Sequence, residues 1–237
     1  MQSAAFTFAL FEFVVLIFSL SVHECAHAWT ASYLGDHTAR LEGRVTLNPM
    51  YHIDPVGSLL FPALAIFGPF IGFSMFSGML IGWAKPTPVI TRNFRKIVRD
   101  DNLVTLAGPA SNLGLVSVAL VVLLIVAHAV PGGREIVTYT FRAMLLPDVN
   151  PTIQAIVLLG VAAIEINFAL FFFNLLPVPP LDGSHLLRNL LPYNAVQAYD
   201  RIPFWVSWML MIFVGGTLLR ILLGPAMLLV LMILTRV

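Results

Sequence analysis

The stretch AAFTFALFEFVVLIFSLSVHECAHAWT, residues 4–30, decides how the rest of this chain can fold. Glu12 is the only charged side chain in residues 1–22, and a run of about 20 apolar residues is long enough for a helix to cross a bilayer. Two histidines and a glutamate follow directly. Because ionisable side chains in or near lipid are costly and commonly mark functional sites, we expect a first membrane helix with a functional site at its end.

The HECAH motif, residues 23–27, has the spacing of a metal site. His23 and His27 are four residues apart, which places both imidazoles on one face of a helix. Two such imidazoles can hold zinc, and Glu24 occupies the position of the general base in zinc proteases. By itself, the motif indicates a zinc site that is compatible with hydrolysis.

The composition is typical of an all-α polytopic membrane protein. Of the 237 residues, 59% are hydrophobic and 11% are charged, whereas a soluble domain is about one quarter charged. The mean hydropathy is +0.90. With a net charge of +1, nothing suggests nucleic-acid binding. We expect a single membrane-embedded domain over residues 1–237.

Hydropathy predicts about five to six membrane segments, each near 20 residues. The apolar stretches are residues 4–30, 57–81, 103–130, 152–176 and 204–235. The last of these could form one helix or two, because Gly224-Pro225 interrupts it. A short strand or hairpin is expected at residues 38–47, where apolar and polar side chains alternate.

Asp182 is the candidate for a third zinc ligand. A catalytic zinc takes three protein ligands and keeps one position open for water. Pro177, Pro179 and Pro180 stop the preceding helix and leave Asp182 on a loop at membrane depth, where irregular backbone must line a cavity or be buried. The alternative is that Asp182 caps a helix beginning at Gly183.

A shared metal would also constrain the topology. The helices that end near the HECAH motif and near Asp182 would run parallel, which requires an odd number of crossings between them. Two apolar stretches, 57–81 and 103–130, lie between them. We therefore predict that residues 57–81, interrupted at Gly68-Pro69, return to their starting side as a re-entrant segment or short hairpin.

The loop at residues 82–101 is the most basic in the chain, with Lys85, Arg92, Arg95, Lys96 and Arg99. Positively charged loops stay on the cytoplasmic side of a membrane. We expect this loop and the candidate metal site on the cytoplasmic side of the cell membrane.

Together these motifs resemble the site-2 protease family of intramembrane zinc metalloproteases. The resemblance covers most of the chain and includes HECAH at 23–27, GRVTLNP at 43–49, HIDP at 52–55, GWAKP at 82–86, AGPASN at 107–112, FNLLP at 173–177 and LDG at 181–183. The PDZ or CBS domains inserted in some members have no counterpart here, so the chain is similar to compact members.

The resemblance implies that His23, His27 and Asp182 bind one zinc ion and that Glu24 is the catalytic base. It also implies that the substrate is a transmembrane segment of another protein in the bilayer, often one already trimmed by a first protease. These roles are expectations from the family motifs.

Four polar residues could support such a site. Asn112 and Asn174 lie in apolar spans and are candidates for binding the substrate or the oxyanion, with hydrogen bonding between helices as the alternative. His52 and Asp54 could orient a ligand imidazole or stabilise their own turn. An unwound substrate could pair with a strand at 38–47 or with an extended wall at 82–86.

Three other functions compete with this interpretation. A non-enzymatic zinc-binding membrane protein, such as a transporter or sensor, would use the same ligands without needing Glu24. An inactive scaffold that binds transmembrane helices is the second alternative, and the complete set of ligands and base argues against it. A protease for soluble or lipid-anchored peptides would cut outside transmembrane segments.

Overall fold

The computed structural model describes residues 2–73, 75, 82–142 and 148–236, and it is helical throughout most of them. In chain order the α-helices are α1 (Gln2–Leu34), α2 (Thr38–Leu41), α3 (Phe61–Phe67), α4 (Ile97–Ala129), α5 (Gly133–Phe141), α6 (Pro151–Asn174), α7 (Asp182–Leu190), α8 (Tyr193–Tyr199), α9 (Phe204–Leu210) and α10 (Gly216–Arg236).

Within the described ranges, four helices are long and apolar enough to cross a membrane. They are Ala5–Leu34, Ile97–Ala129, Pro151–Asn174 and Trp205–Arg236. The last is continuous, because a π-helical turn at Met211–Gly215 joins α9 to α10 and Pro225 is accommodated inside α10. The structure therefore supports four long spans and not the expected five to six segments.

The strand predicted at residues 38–47 is wrong, since no strand occurs in the part of the chain that the structure describes. Thr38–Leu41 instead forms α2. The alternation is also inverted: Leu41 and Leu47 are 86% and 54% exposed, whereas Arg44 is 5% exposed. The Arg44 guanidinium donates to the carbonyl oxygen of Tyr51 at 2.6 Å, so a buried cation, and not an apolar strand face, organises this stretch.

Helices α1 and α4 run antiparallel. His23 of α1 contacts Asn112 of α4, and His27, one turn further along α1, contacts Val104, which lies earlier in α4. The C-terminal half of α1 therefore packs along the N-terminal half of α4.

Helix α6 also runs antiparallel to α4, and hence parallel to α1 as predicted. Asn167 of α6 bonds to Asn112 of α4, and Gly160, earlier in α6, packs against Leu123, later in α4. A Cβ at Gly160 would lie 2.7 Å from a Leu123 methyl carbon. In a bilayer, such small residues stabilise helix pairs through close packing.

The segment around α3 begins and ends at the same place. Ser58 Oγ donates to the Trp83 carbonyl oxygen at 2.7 Å, and the Lys85 N–H donates to the His52 carbonyl oxygen at 2.8 Å. The predicted return of the chain therefore agrees with the contacts at its two ends. Residues 74 and 76–81 of the predicted segment lie outside the described residues.

The largest apolar core lies between α4, α5, α6 and α10. Leu123, Val137, Val157, Ile164 and Leu234 are each at most 1% exposed there. The predicted metal ligands lie elsewhere. His23 and His27 are on the half of α1 that is joined to α4 by polar contacts, and Asp182 is at the start of α7. This separation lets an apolar core hold the helices while polar groups occupy the site.

Candidate metal centre

The three residues predicted as metal ligands meet at one point. His23 Nε2 lies 3.1 Å from Asp182 Oδ2, and His27 Nε2 lies 3.4 Å from Asp182 Oδ1. The two Nε2 atoms are 3.0 Å apart, and donor atoms of all three residues lie within 4.8 Å of one another. Two imidazoles and a carboxylate match the ligand set of a catalytic zinc.

Both histidines direct Nε2 toward the centre of this group. His23 Nδ1 is 2.7 Å from Asn112 Oδ1, and His27 Nδ1 is 2.7 Å from the carbonyl oxygen of Val104. Because a carbonyl oxygen only accepts, each Nδ1 carries the proton and donates it. The two Nε2 lone pairs then face each other, an arrangement that a metal ion stabilises.

The Asp182 carboxylate supports the same fit. Its Oδ2 is buried and has no hydrogen-bond partner of acceptable geometry among the described residues, although His23 Nε2 is 3.1 Å away. A buried carboxylate oxygen without a partner is costly, and a zinc ion would satisfy it. The residues present therefore fit zinc.

Gly108 leaves the space between the two imidazoles open on the side of α4. A Cβ at this position would overlap with the Nε2 atoms of both His27 and His23. The AGPASN motif thus allows the α4 backbone to approach the imidazoles closely. A glycine-proline pair inside an apolar span, Gly108-Pro109, is the sequence signal that could have indicated this approach.

Asp182 is placed by the start of α7. It is the first residue of that helix, and Leu181 occupies the cap position without a side-chain hydrogen bond, so the alternative in which Asp182 caps the helix is wrong. A Cβ at Gly183 would overlap with the carbonyl oxygen of Leu175. This glycine lets α7 start against the end of α6, which brings Asp182 to the histidines of α1.

The carboxylate of Glu24 lies on the wall of the same cavity as the three ligands. Thr87 Oγ1 donates to Glu24 Oε2 at 2.7 Å. Sequence analysis did not single out Thr87, because the two residues are 63 positions apart and the contact depends on the path of the intervening chain.

Asn112 lies behind His23 and is completely buried. Its Oδ1 accepts from His23 Nδ1, and its Nδ2 donates to Asn167 Oδ1 at 2.9 Å. Asn167 Nδ2 in turn donates to Ser19 Oγ at 2.9 Å. This buried chain of hydrogen bonds orients the imidazole and links three helices, which is the interhelical alternative to an oxyanion role.

A cavity of about 1290 Å³ extends from the metal group between the helices. Asn174 lines it and donates from Nδ2 to the Leu170 carbonyl oxygen at 3.0 Å. Glu12, Glu165 and Arg220 line the same cavity. Asn174 is therefore the predicted asparagine that the structure places where a substrate could reach it.

His52 and Asp54 contact their own turn. His52 is 1% exposed, and its Nε2 lies 2.8 Å from the Thr46 carbonyl oxygen. Asp54 Oδ1 accepts from the N–H groups of Val56 and Gly57. These bonds correspond to the turn-stabilising alternative and not to contacts with the ligand imidazoles.

Asp36 is a buried residue that sequence reasoning missed. Its carboxylate accepts from the Ile90 N–H at 2.7 Å, Asn93 Nδ2 at 2.8 Å and Thr38 Oγ1 at 2.6 Å. Burial raises the pKa of this carboxyl, and the hydrogen bonds lower it by more, so its pKa lies below the usual value. The local Asp36–Thr38 pairing was visible in the sequence, but the distant partners were not.

Comparison with known proteins agrees with this site. The model of Peptidase family M50 matches residues 11–214, which contain Glu24 and all three candidate ligands. The chain belongs to peptidase family M50, the site-2 protease family. No solved structure shows a significant match to this M50 chain.

Curated relatives of this M50 chain are bacterial. It is 38% identical over 199 residues to "Putative zinc metalloprotease YwhC" of Bacillus subtilis, a match that covers 81% of this chain and 77% of YwhC. It is 32% identical over 189 residues to Rip2 of Mycolicibacterium smegmatis, covering 80% of this chain and 60% of Rip2. Rip2 of Mycobacterium tuberculosis is 31% identical over 202 residues, with coverages of 84% and 65%. The chain thus spans less than two thirds of the two mycobacterial relatives, whose descriptions match that of YwhC.

Proposed function

We propose that this protein is an intramembrane metallopeptidase that hydrolyses peptide bonds within or near transmembrane segments of other membrane proteins. His23, His27 and Asp182 would hold one zinc ion, and Glu24 would be the general base. The observation that carries the proposal is that all four side chains line one cavity between helices long enough to cross a bilayer.

Bound zinc would supply Lewis acidity, which activates water and polarises a carbonyl group. Glu24 would take the proton released by the attacking water and deliver it to the leaving amine. Asn112 and the Val104 carbonyl would keep both Nε2 atoms available by holding the imidazoles through Nδ1. Asn174 would hold the substrate chain through its second amide N–H.

The cavity suggests how a substrate would enter. Residues 82–90 lack regular structure, and several of them line the cavity beside Glu24. An unwound substrate segment would pair with this extended wall by strand addition. A volume of about 1290 Å³ suits an unwound segment and not a folded domain, so substrates trimmed beforehand by another protease are favoured.

We further propose that α3 belongs to a re-entrant segment and that the metal site faces the cytoplasmic side of the cell membrane. The joined ends of the α3 segment support the first point, and the basic loop supports the second. The test introduces Arg40→Cys or Arg95→Cys into a Cys25→Ser variant. Both new thiols should react with a labelling reagent only when it is added on the cytoplasmic side. Labelling of the two from opposite sides would contradict the topology.

The test of the activity is Glu24→Gln, which removes the base but none of the three ligands. Quantitative proteomics of membranes should show transmembrane fragments that accumulate only with the E24Q variant, while the purified variant keeps its zinc. If zinc is retained and no fragment accumulates, the non-enzymatic zinc-binding alternative replaces the proposal. Cleavage sites outside transmembrane segments would instead favour the protease for soluble or lipid-anchored peptides.

A further inference from the structure

Thr87 makes a direct contact with the proposed general base. Its Oγ1 lies 2.7 Å from Glu24 Oε2 and 3.3 Å from the Glu24 backbone oxygen. A hydroxyl has one proton to donate, and the shorter distance assigns it to Oε2. Thr87 is only partly buried and lines the cavity that contains the metal group.

We propose that Thr87 is the positioning residue of Glu24, an inference that rests on the proposed function. A glutamate side chain has three rotatable bonds and samples many rotamers when free. The Thr87 hydroxyl fixes the carboxylate through Oε2 and leaves Oε1 to accept the proton from water. After that transfer the proton resides on Oε1, and the hydroxyl still donates to Oε2, so the contact persists until the proton passes to the leaving amine.

The backbone around Thr87 is built to keep the hydroxyl in place. Pro86 and Pro88 flank Thr87. A proline restricts the residue before it to extended conformations and fixes its own φ, so the backbone that carries the Thr87 hydroxyl is restricted before any substrate arrives.

Residues 85–90, which we call the strap, are held by a hydrogen bond from a backbone N–H at each end. Before Thr87, the Lys85 N–H donates to the His52 carbonyl oxygen at 2.8 Å. After it, the Ile90 N–H donates to Asp36 Oδ2 at 2.7 Å. Because Asp36 lies two residues after the end of α1 at Leu34, the second hydrogen bond joins the strap to the helix that carries Glu24.

The test compares Thr87→Val, which removes the hydroxyl at nearly constant volume, with Thr87→Ser, which keeps it. Thr91→Val is the matched control, because Thr91 is exposed and lies four residues further along. The assay uses purified full-length protein and, as substrate, the tagged single-span protein that accumulates with E24Q. We expect T87V to lower kcat by about 10- to 100-fold, the loss of one hydrogen bond to a charged group, with KM within about twofold.

Zinc content and thermal stability should be unchanged in T87V, while T87S should recover most of kcat and T91V should match wild type. Equal kcat for T87V and wild type would overturn the inference, as would a T87S variant as slow as T87V. Loss of zinc or of stability in T87V would also overturn it, since the residue would then be structural. If E24Q itself still cleaves, the proposed function fails; if only T87V behaves normally, the role of Thr87 alone fails.

Discussion

At the scale of single residues, the candidate site depends on the hydrogen-bond acceptors of the two imidazoles as much as on the imidazoles themselves. The His23 and His27 rings can present Nε2 to a cation because Asn112 Oδ1 and the Val104 carbonyl oxygen accept hydrogen bonds from their Nδ1 atoms. The spacing of the HECAH motif predicted that the imidazoles share a helix face. It did not predict the acceptors, because these lie on α4 and depend on how that helix packs.

Gly108 offers a sharp test at this scale. Gly108→Ala would place a methyl group over both Nε2 atoms, and we expect zinc affinity to fall by about 100-fold, the upper range for changes around metal ligands. Chelator competition measures the affinity. Gly114→Ala on the same helix is the control, because a Cβ there meets nothing within 4 Å. Equal zinc affinity in G108A and G114A would contradict the close approach of α4.

At the scale of elements, hydropathy predicted the long helices correctly, whereas the local alternation of side chains did not predict the structure of residues 38–47. The alternation in residues 38–47 predicted a strand, yet Asp36 bonds to Thr38 and begins a helical turn there. Arg44 is then buried, and its guanidinium contacts two carbonyl oxygens, one of them on Lys85. Alternating apolar and polar side chains favour a strand only when a partner strand is available. Here the buried Arg44 side chain pairs with carbonyl oxygens, and no partner strand occurs among the described residues.

The Asp36 carboxylate, which joins the end of α1 to the strap, should make the stability of the fold depend on pH. The pKa of its carboxyl is lowered in the folded chain, so its contribution to stability is complete above the unfolded pKa and is lost as the pH falls through the folded pKa. We expect Asp36→Asn to cost about 2 kcal/mol near neutral pH, since one member of a buried charged hydrogen-bond group is removed.

Thermal melts across the acidic range check this expectation. The difference in melting temperature between wild type and D36N should shrink as the pH falls. Asp148→Asn is a suitable control, because Asp148 is exposed and asparagine tolerates its positive φ of 61°. A difference that stays constant with pH would show that the ionised carboxylate is not what holds the strap.

At the scale of the whole molecule, the proposed metal site would account for the parallel arrangement of α1 and α6. The sequence was sufficient to predict that His23, His27 and Asp182 meet and that α1 and α6 run parallel. Both predictions follow from motif spacing and from the proline-rich break before Asp182. The contact between Thr87 and Glu24 could not be predicted from the sequence, because 63 positions separate the two residues. Five to six segments were expected, and four long spans occur among the described residues, because 204–235 contains one long span and the helix at Pro55–Ile71 is shorter than a span.

The central claim is that two imidazoles and one carboxylate form a single zinc centre inside a membrane protein. X-ray absorption at the zinc edge of the purified protein, together with its metal content, tests this most directly. The account predicts one zinc per chain with two imidazole ligands and otherwise oxygen donors, and loss of that signal in His27→Ala. A sulfur ligand from Cys25, or a zinc signal that His27→Ala leaves unchanged, would contradict it.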